Sequence, residues 1–157
     1  MVMQELTLTR VFGDRRLYAF EGVGSIRLTG LGKRGGLAEA GGQRWQITAV
    51  SFWKRDIRAT DTAGIVVGEF AGRALAGGGE LRWYGRDYVL RRHTIWRERC
   101  GLSDGRRELA TIDGKSWGAH PVTIRGDDLS EIDPGLLLFA AFVVRALAVA
   151  AAEAAAG

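Results

Sequence analysis

This 157-residue sequence has too little cysteine and histidine for a disulfide framework or a zinc motif. Its one cysteine, Cys100, rules out an internal disulfide framework. The only histidines are His93 and His120, and no spacing pairs two of these three residues on one element, so the sequence carries no zinc motif. It also lacks a calcium-binding loop of the D-x-[DN]-x-[DN]-G type. We therefore expect no metal or other cofactor.

Leader segments and amphipathic helices are also missing. Residues 1–18 contain no apolar core of the secretory type, so we expect a cytoplasmic protein. No stretch of about a dozen residues before Asp133 has the period of an amphipathic helix, which excludes folds that alternate strands with helices. The length of 157 residues suits a single domain with one core, spanning residues 1–157.

What the chain does contain is a long apolar segment at residues 136–152, in which Arg145 is the only charge. Asp133 is a good N-cap and Pro134 fits the first helical position, so the sequence predicts a helix over residues 134–155. A helix that is apolar all round must be hidden, either in a membrane or in a protein core.

The sequence favours the protein core over a membrane anchor. Arg145, near the middle of the helix, would cost about 2.5 to 3.5 kcal/mol in a bilayer. Acidic residues precede the segment and no positive anchor follows it, which is the wrong flanking charge for a membrane span. In a core, we expect Arg145 to emerge at a barrel mouth or to pair with a carboxylate.

Short alternating segments separated by turn signals precede the helix and predict about eleven strands. A closed sheet would hide their edges and the apolar helix together, so we predict a mainly β fold: a barrel of about 11–12 antiparallel strands around the C-terminal helix. The predicted strands are residues 5–9, 16–21, 25–31, 44–51, 54–60, 65–70, 80–84, 87–92, 94–100, 108–113 and 121–125.

Three turn-strand units, at residues 61–70, 85–91 and 102–110, together with the closing helix, resemble the tubby C-terminal-like superfamily. That superfamily includes tubby, LURP-one-related proteins and phospholipid scramblases. The resemblance implies a closed barrel of about twelve strands around a hydrophobic helix. The chain lacks the cysteine-rich and acidic calcium-binding segments of scramblases, so the resemblance does not extend to scrambling. No binding residue of the superfamily can be placed on this sequence.

Catalytic patterns are weak. Residues 30–35 spell G-x-G-x-x-G, but Gly41 and Gly42 follow too soon for a phosphate-facing helix, and a hairpin is the better interpretation. Asp113, Ser116 and His120 form the only local cluster of nucleophile, base and acid types. The simpler interpretation of that cluster is a solvated hairpin loop anchored by Trp117. We therefore predict that the protein is not an enzyme.

Arginines give the better functional indication. Strand alternation at residues 94–100 places Arg97 and Arg99 on one face and Cys100 on the other, and further arginines lie on or beside adjacent strands. A basic outer face of this kind fits anionic phospholipid head groups or a membrane surface. A solvated strand face, partly neutralised by acidic neighbours, is the alternative. The predicted binding residues are Arg91, Arg92, Arg97, Arg99, Arg106 and Arg107.

Three function classes follow from the sequence. The first is a non-enzymatic module for anionic lipid, cytoplasmic but able to lie at the membrane periphery. The second is a protein-interaction or assembly domain, and the third, which we favour least, is an enzyme or small-ligand carrier. A net charge of +4 is modest, so we do not expect a nucleic-acid partner. A second aromatic-basic run, residues 52–58, suits either a membrane surface or a strand end with an inner tryptophan.

Overall fold

The structure, a computed structural model, describes residues 3–30, 34–51, 56–73, 77–94 and 98–156. Within these ranges, twelve antiparallel strands form a closed barrel and one long helix packs against its inner wall. The predicted fold class is confirmed. The strands are β1 Gln4–Arg10, β2 Leu17–Phe20, β3 Gly24–Thr29, β4 Gly35–Ala40, β5 Gln43–Ser51, β6 Asp56–Thr60, β7 Val66–Gly72, β8 Gly79–Trp83, β9 Arg86–Arg92, β10 Glu98–Ser103, β11 Glu108–Gly114 and β12 Val122–Gly126.

The barrel is a simple meander in which every strand pairs with the next one in the chain and β12 closes onto β1. Side chains alternate between the interior and the outer surface, as the period of a strand requires. In β8, for example, Leu81 and Trp83 are buried while Glu80 and Arg82 are exposed. Because each strand is antiparallel to the one before it, successive turns lie at opposite ends of the barrel.

The helix α1, Pro134–Ala156, fills the interior. It follows a short 3-10 turn at Leu129–Glu131, and Asp133 caps it: the Gly135 N–H donates to the Asp133 carboxylate over 3.3 Å. Residues 135–144 are all buried, and Phe139 stacks on Trp83 with ring centroids 5.5 Å apart. The predicted helix, residues 134–155, is confirmed to within one residue.

The two ends of the barrel differ because the helix enters at one and leaves at the other. The end holding the β2–β3, β8–β9 and β10–β11 turns receives the helix N-terminus and is called here the entry mouth. The opposite end, with the β1–β2 and β11–β12 turns, is the exit mouth, because Val144 of the helix lies against Gly114 at the end of β11. Residues 151–156 are exposed beyond the buried part of the helix.

The strand at Gly35–Ala40, β4, was not among the predicted segments. Its sequence, GGLAEA, has none of the β-branched or aromatic residues that mark a strand. The reason is spatial: a Cβ at Gly36 would lie 2.8 Å from the Phe142 ring of the helix. The sequence of this segment is therefore typical of a loop, although packing against the helix requires a strand with no side chain at Gly36.

The strand after β9 extends further along the chain than predicted, to Ser103 instead of residue 100. Residues 94–100 were expected to form it, whereas β10 spans Glu98–Ser103. The observed alternation still places Cys100 inside and Arg99 at the outer surface, as predicted. Residues 95–97, including Arg97, lie outside the described residues.

By length and composition, α1 could cross a membrane, but 67% of its most apolar window is buried inside the barrel. Arg145 is half-buried, just before the exposed end of the helix. No described carboxylate pairs with it, and burial lowers the pKa of its guanidinium, an effect that the neighbouring Tyr18 hydroxyl opposes. Of the two positions expected for Arg145, the structure shows the barrel mouth.

Candidate functional site

Two large aromatic side chains are exposed at the exit mouth. Phe12, in the β1–β2 turn, is fully exposed, and Trp117, in the β11–β12 loop, is 74% exposed. The sequence interpretation that Trp117 anchors its loop is wrong, because the indole points away from the core. A single exposed apolar side chain is ordinary, whereas a group of them rimmed by polar residues marks an interaction surface.

The loops that carry these rings are joined because β1 pairs with β12. The Arg10 N–H donates to the Ala119 carbonyl over 2.8 Å, which ties the end of β1 to the β11–β12 loop. Beside it, the Thr9 hydroxyl lies 3.2 Å from His120 Nδ1. The two aromatic residues, 105 positions apart in sequence, thus belong to neighbouring turns of one mouth.

Basic side chains lie in or beside the two turns that carry the aromatic pair. Arg10, Arg15 and Lys115 are exposed, and none of them forms an ion pair with a carboxylate in the part of the chain that the structure describes. The Lys115 ammonium lies 5.9 Å from the Trp117 ring centroid, at the outer limit of a cation–π contact. Phe12, Trp117, Arg10, Arg15 and Lys115 are called here the exit-mouth patch.

The arginines predicted from the sequence are dispersed over the barrel. Arg91 is exposed on the outer wall in β9, opposite Gly101 of β10. Arg106 and Arg107 are exposed in the β10–β11 turn at the entry mouth, where their backbone N–H groups donate to Asp104. These contacts lower the pKa of the Asp104 carboxyl.

Arg99 is part of an ion-pair chain across four strands. Asp113 of β11 accepts from Arg99 Nε over 2.7 Å and from Arg125 Nη1 over 3.1 Å. Arg125 also donates to Glu5 of β1 over 2.8 Å. Side chains that neutralise one another in this way present little free charge, so Arg99 contributes weakly to a basic face.

Arg92 points into the barrel end instead of outward. Its Nη2 lies 3.1 Å from Glu98 Oε2, and Glu98 is only 7% exposed. Arg92 Nε is buried without a hydrogen-bond partner among the described residues. Next to this pair, burial and then the Glu98 charge raise the pKa of the Cys100 thiol to about 12. This cluster is structural and leaves Arg92 no free charge for a ligand.

The entry mouth has the opposite electrostatic character. An open cavity of about 960 Å³ lies there, with Leu136 and Ile132 among its apolar lining. Arg106 and Arg107 line it, but acidic residues outnumber the basic ones. The acidic lining residues are Asp87, Asp104, Glu108, Asp127, Asp128, Glu131 and Asp133; the basic ones are Arg86, Arg106, Arg107 and Arg125.

The predicted acid, nucleophile and base, Asp113, Ser116 and His120, do not form a hydrogen-bonded triad. Asp113 is engaged by two arginines, and His120 faces Thr9 instead of Ser116, to which no hydrogen bond joins it. No group of three or more His, Cys, Asp or Glu side chains among the described residues is arranged to hold a metal ion. Much of the residue 30–35 glycine pattern and of the residue 52–58 run lies outside the described residues.

Comparison with known proteins gives no match among family models, curated proteins or solved structures. The resemblance to the tubby C-terminal-like superfamily therefore stays a prediction. Sequence inspection missed the exit-mouth patch because Phe12 and Trp117 lie in separate hairpins. The available signal was an aromatic residue beside a turn glycine in each: Phe12 precedes Gly13 and Trp117 precedes Gly118.

Proposed function

We propose that this protein is a non-enzymatic module that docks on anionic membrane surfaces through the exit-mouth patch. The observation that carries the proposal is the exposure of Phe12 and Trp117 in neighbouring turns. Burying an exposed aromatic ring contributes about 25 cal/mol per Å² of apolar surface, and tryptophan is favoured at the membrane interface.

Charge supports the same orientation. Arg10, Arg15 and Lys115 have no described ion-pair partner, and basic residues near an anionic surface contribute about 1 kcal/mol each. The acidic lining of the entry mouth is repelled by such a surface. Attraction at one end and repulsion at the other favour docking with the exit mouth toward the lipid.

The interior of the barrel supports a role without catalysis. The helix occupies the space in which a barrel enzyme or carrier holds its ligand, since residues 135–144 of α1 are buried against the strands. Surface recognition is then the function that remains for the outside of the molecule.

Vesicle sedimentation tests the proposal. The intact chain is expected to sediment with phosphatidylcholine vesicles that contain phosphatidylserine, and to be released by added salt. The double variant Arg15→Glu, Lys115→Glu reverses two charges and is expected to weaken binding by about tenfold or more. Phe12→Ser with Trp117→Ser is expected to weaken binding while leaving its salt dependence.

Matched controls separate this patch from the residues predicted from the sequence. Arg106→Glu with Arg107→Glu makes the same charge change at the entry mouth and is expected to leave binding within about twofold of wild type. Ile65→Ser removes an apolar side chain, 59% exposed, from the entry mouth and is expected to have no effect. Equal losses in the control and exit-mouth variants, or no preference for phosphatidylserine, would contradict the proposal.

A further inference from the structure

We propose that the free edge of β1 accepts an extended peptide from a partner protein as an added strand. Gln4–Leu8 of β1 pair with β12 along the whole of that side. On the other side, pairing with β2 covers only Thr9↔Ala19 and Arg10↔Tyr18. Five residues of β1 thus have one strand neighbour instead of two within the described sheet.

The gap exists because β2 is short. It contains only Leu17–Phe20 and turns at Gly22, which has the left-handed φ of 77° that favours glycine. β3 then runs back along β2, so neither strand extends beside the first half of β1. Sheet edges left open in this way are templates for another strand.

The direction of the backbone groups follows from two hydrogen bonds at the end of β1. Arg10 N–H donates toward the β12 side, to Ala119, whereas Val11 N–H donates toward the β2 side, to Leu17. In an antiparallel strand, alternate residues direct their N–H and C=O to opposite sides. Thr7 and Glu5, two and three alternations back from Val11, therefore aim theirs at the gap. The Thr7 carbonyl accepts a long bond of 3.3 Å from the Thr9 hydroxyl.

The gap is also an open groove, of about 630 Å³. Leu6 faces the barrel interior yet lines the groove and remains partly exposed, so the inner face of β1 is accessible through the gap. Ala19 and Glu21 form part of the opposite wall. Paired donors and acceptors above an uncovered leucine are complementary to another extended backbone.

Charge defines the chemistry of the occupant. Three charged residues line the groove: Glu5, Arg10 and Glu21. Glu5 is engaged by Arg125, and Arg10 lies where β1 already pairs with β2, outside the gap. Glu21 is exposed and has no ion-pair partner among the described residues. We infer a peptide that alternates apolar residues, which cover Leu6, with basic residues, one of which pairs with Glu21. The occupant is therefore an extended basic-apolar segment of another protein.

Amide hydrogen exchange with synthetic peptides tests the inference. In the free protein, the amides of Glu5 and Thr7 are expected to exchange rapidly while those of Leu6 and Leu8 are protected by β12. A capped peptide in which lysine and valine alternate is expected to bind and to protect Glu5 and Thr7. Its glutamate-for-lysine counterpart is expected to bind about tenfold more weakly. The lysine peptide methylated at alternate backbone nitrogens is expected not to bind.

Two variants keep the test independent of peptide design. Thr7→Pro removes the N–H that faces the groove but none that faces β12, so folding is retained and lysine-peptide binding is lost. Glu21→Lys leaves the backbone edge intact and is expected to reverse the preference, to the glutamate peptide. Protection of Glu5 and Thr7 in the free protein, or equal binding by the methylated peptide, would overturn the inference. So would failure of the lysine peptide to bind, or an unchanged preference in Glu21→Lys.

Discussion

Asp133 is the residue that fixes α1 to the barrel wall. Its carboxylate accepts from the Trp83 indole N–H over 2.5 Å, and its other oxygen accepts from the Gly135 N–H. Its backbone carbonyl accepts from the Leu137 N–H over 3.1 Å. One side chain therefore caps the helix and accepts the hydrogen bond of the buried Trp83 indole.

Asp133→Ala is expected to lower the free energy of unfolding by about 1 to 3 kcal/mol, because it removes the cap and leaves the Trp83 N–H without its acceptor. Urea unfolding followed by fluorescence measures the change. Asp133→Asn keeps one acceptor oxygen but turns an NH2 group toward the other donor, so it should lose less than Asp133→Ala. An Asp133→Ala variant as stable as the wild type would contradict the role of these hydrogen bonds.

Any side chain at Gly36 is expected to destabilise the protein. Gly36→Ala forces a Cβ against the Phe142 ring and should cost about 1 to 3 kcal/mol of unfolding free energy. Phe142→Leu alone also destabilises, since it trims a buried ring, but the double variant should be more stable than the sum of the single losses predicts. Strict additivity in urea unfolding would mean that the two side chains do not compete for space.

Cys100 is expected to be chemically inert in the folded protein. Its side chain is fully buried and its thiol pKa is raised to about 12. A thiol reagent at neutral pH should react only as fast as the protein unfolds, and at once in denaturant. Because the unfolded thiol ionises near pH 9.0 and the folded thiol near 12, stability should fall as pH rises through that window. Rapid modification at neutral pH would contradict this burial.

Among the elements, α1 has a buried part and an exposed end, and substitutions in the two should differ in their cost to the free energy of unfolding. Phe139→Ala, within the buried part, is expected to cost about 3 to 5 kcal/mol, since the ring is inaccessible and stacks on Trp83. Ala152→Gly, in the exposed end, should cost about 1 kcal/mol or less, from helix propensity alone. Thermal and urea unfolding measure both. Similar losses at the two positions would indicate that the exposed end packs against something in solution.

Element prediction from the sequence succeeded where local signals were strong. The helix was found almost to the residue because Asp133, Pro134 and an unbroken apolar run all act locally. β4 was missed because Gly36 is required by packing against Phe142, which lies more than 100 positions away in the sequence. The end of β10 was predicted three residues too early for a similar reason, since register is set by pairing with β9 and β11.

At the scale of the whole molecule, the barrel and its helix form one cooperative unit, because the helix supplies the interior that every strand faces. The purified chain is expected to stay in solution without detergent, and its far-UV circular dichroism and tryptophan fluorescence should be lost in one coincident transition. A chain ending before Asp133 should not fold. A detergent requirement, or a folded truncated chain, would contradict the core role of the helix.

Charge is also organised at this scale. Acidic residues outnumber basic ones at the entry mouth. Arg10, Arg15 and Lys115, which form no ion pair within the described ranges, lie at the exit mouth. A net charge of +4 conceals this separation, since both signs are spread along the sequence. The predicted arginines followed neighbouring strands in the sequence, yet the structure engages Arg92 and Arg99 with carboxylates and places Arg106 and Arg107 among acidic neighbours.

Capping, turn chemistry and strand alternation act over a few residues, so the buried helix, the meander of short strands and hence the mainly β barrel can be inferred from the amino-acid order alone. Which loops share a mouth, which arginines are neutralised and where β1 lacks a neighbour are properties of the folded chain. These depend on strand register and on the closure of β12 onto β1, which join residues more than a hundred positions apart. Phe12 and Trp117 became a candidate site only through that closure.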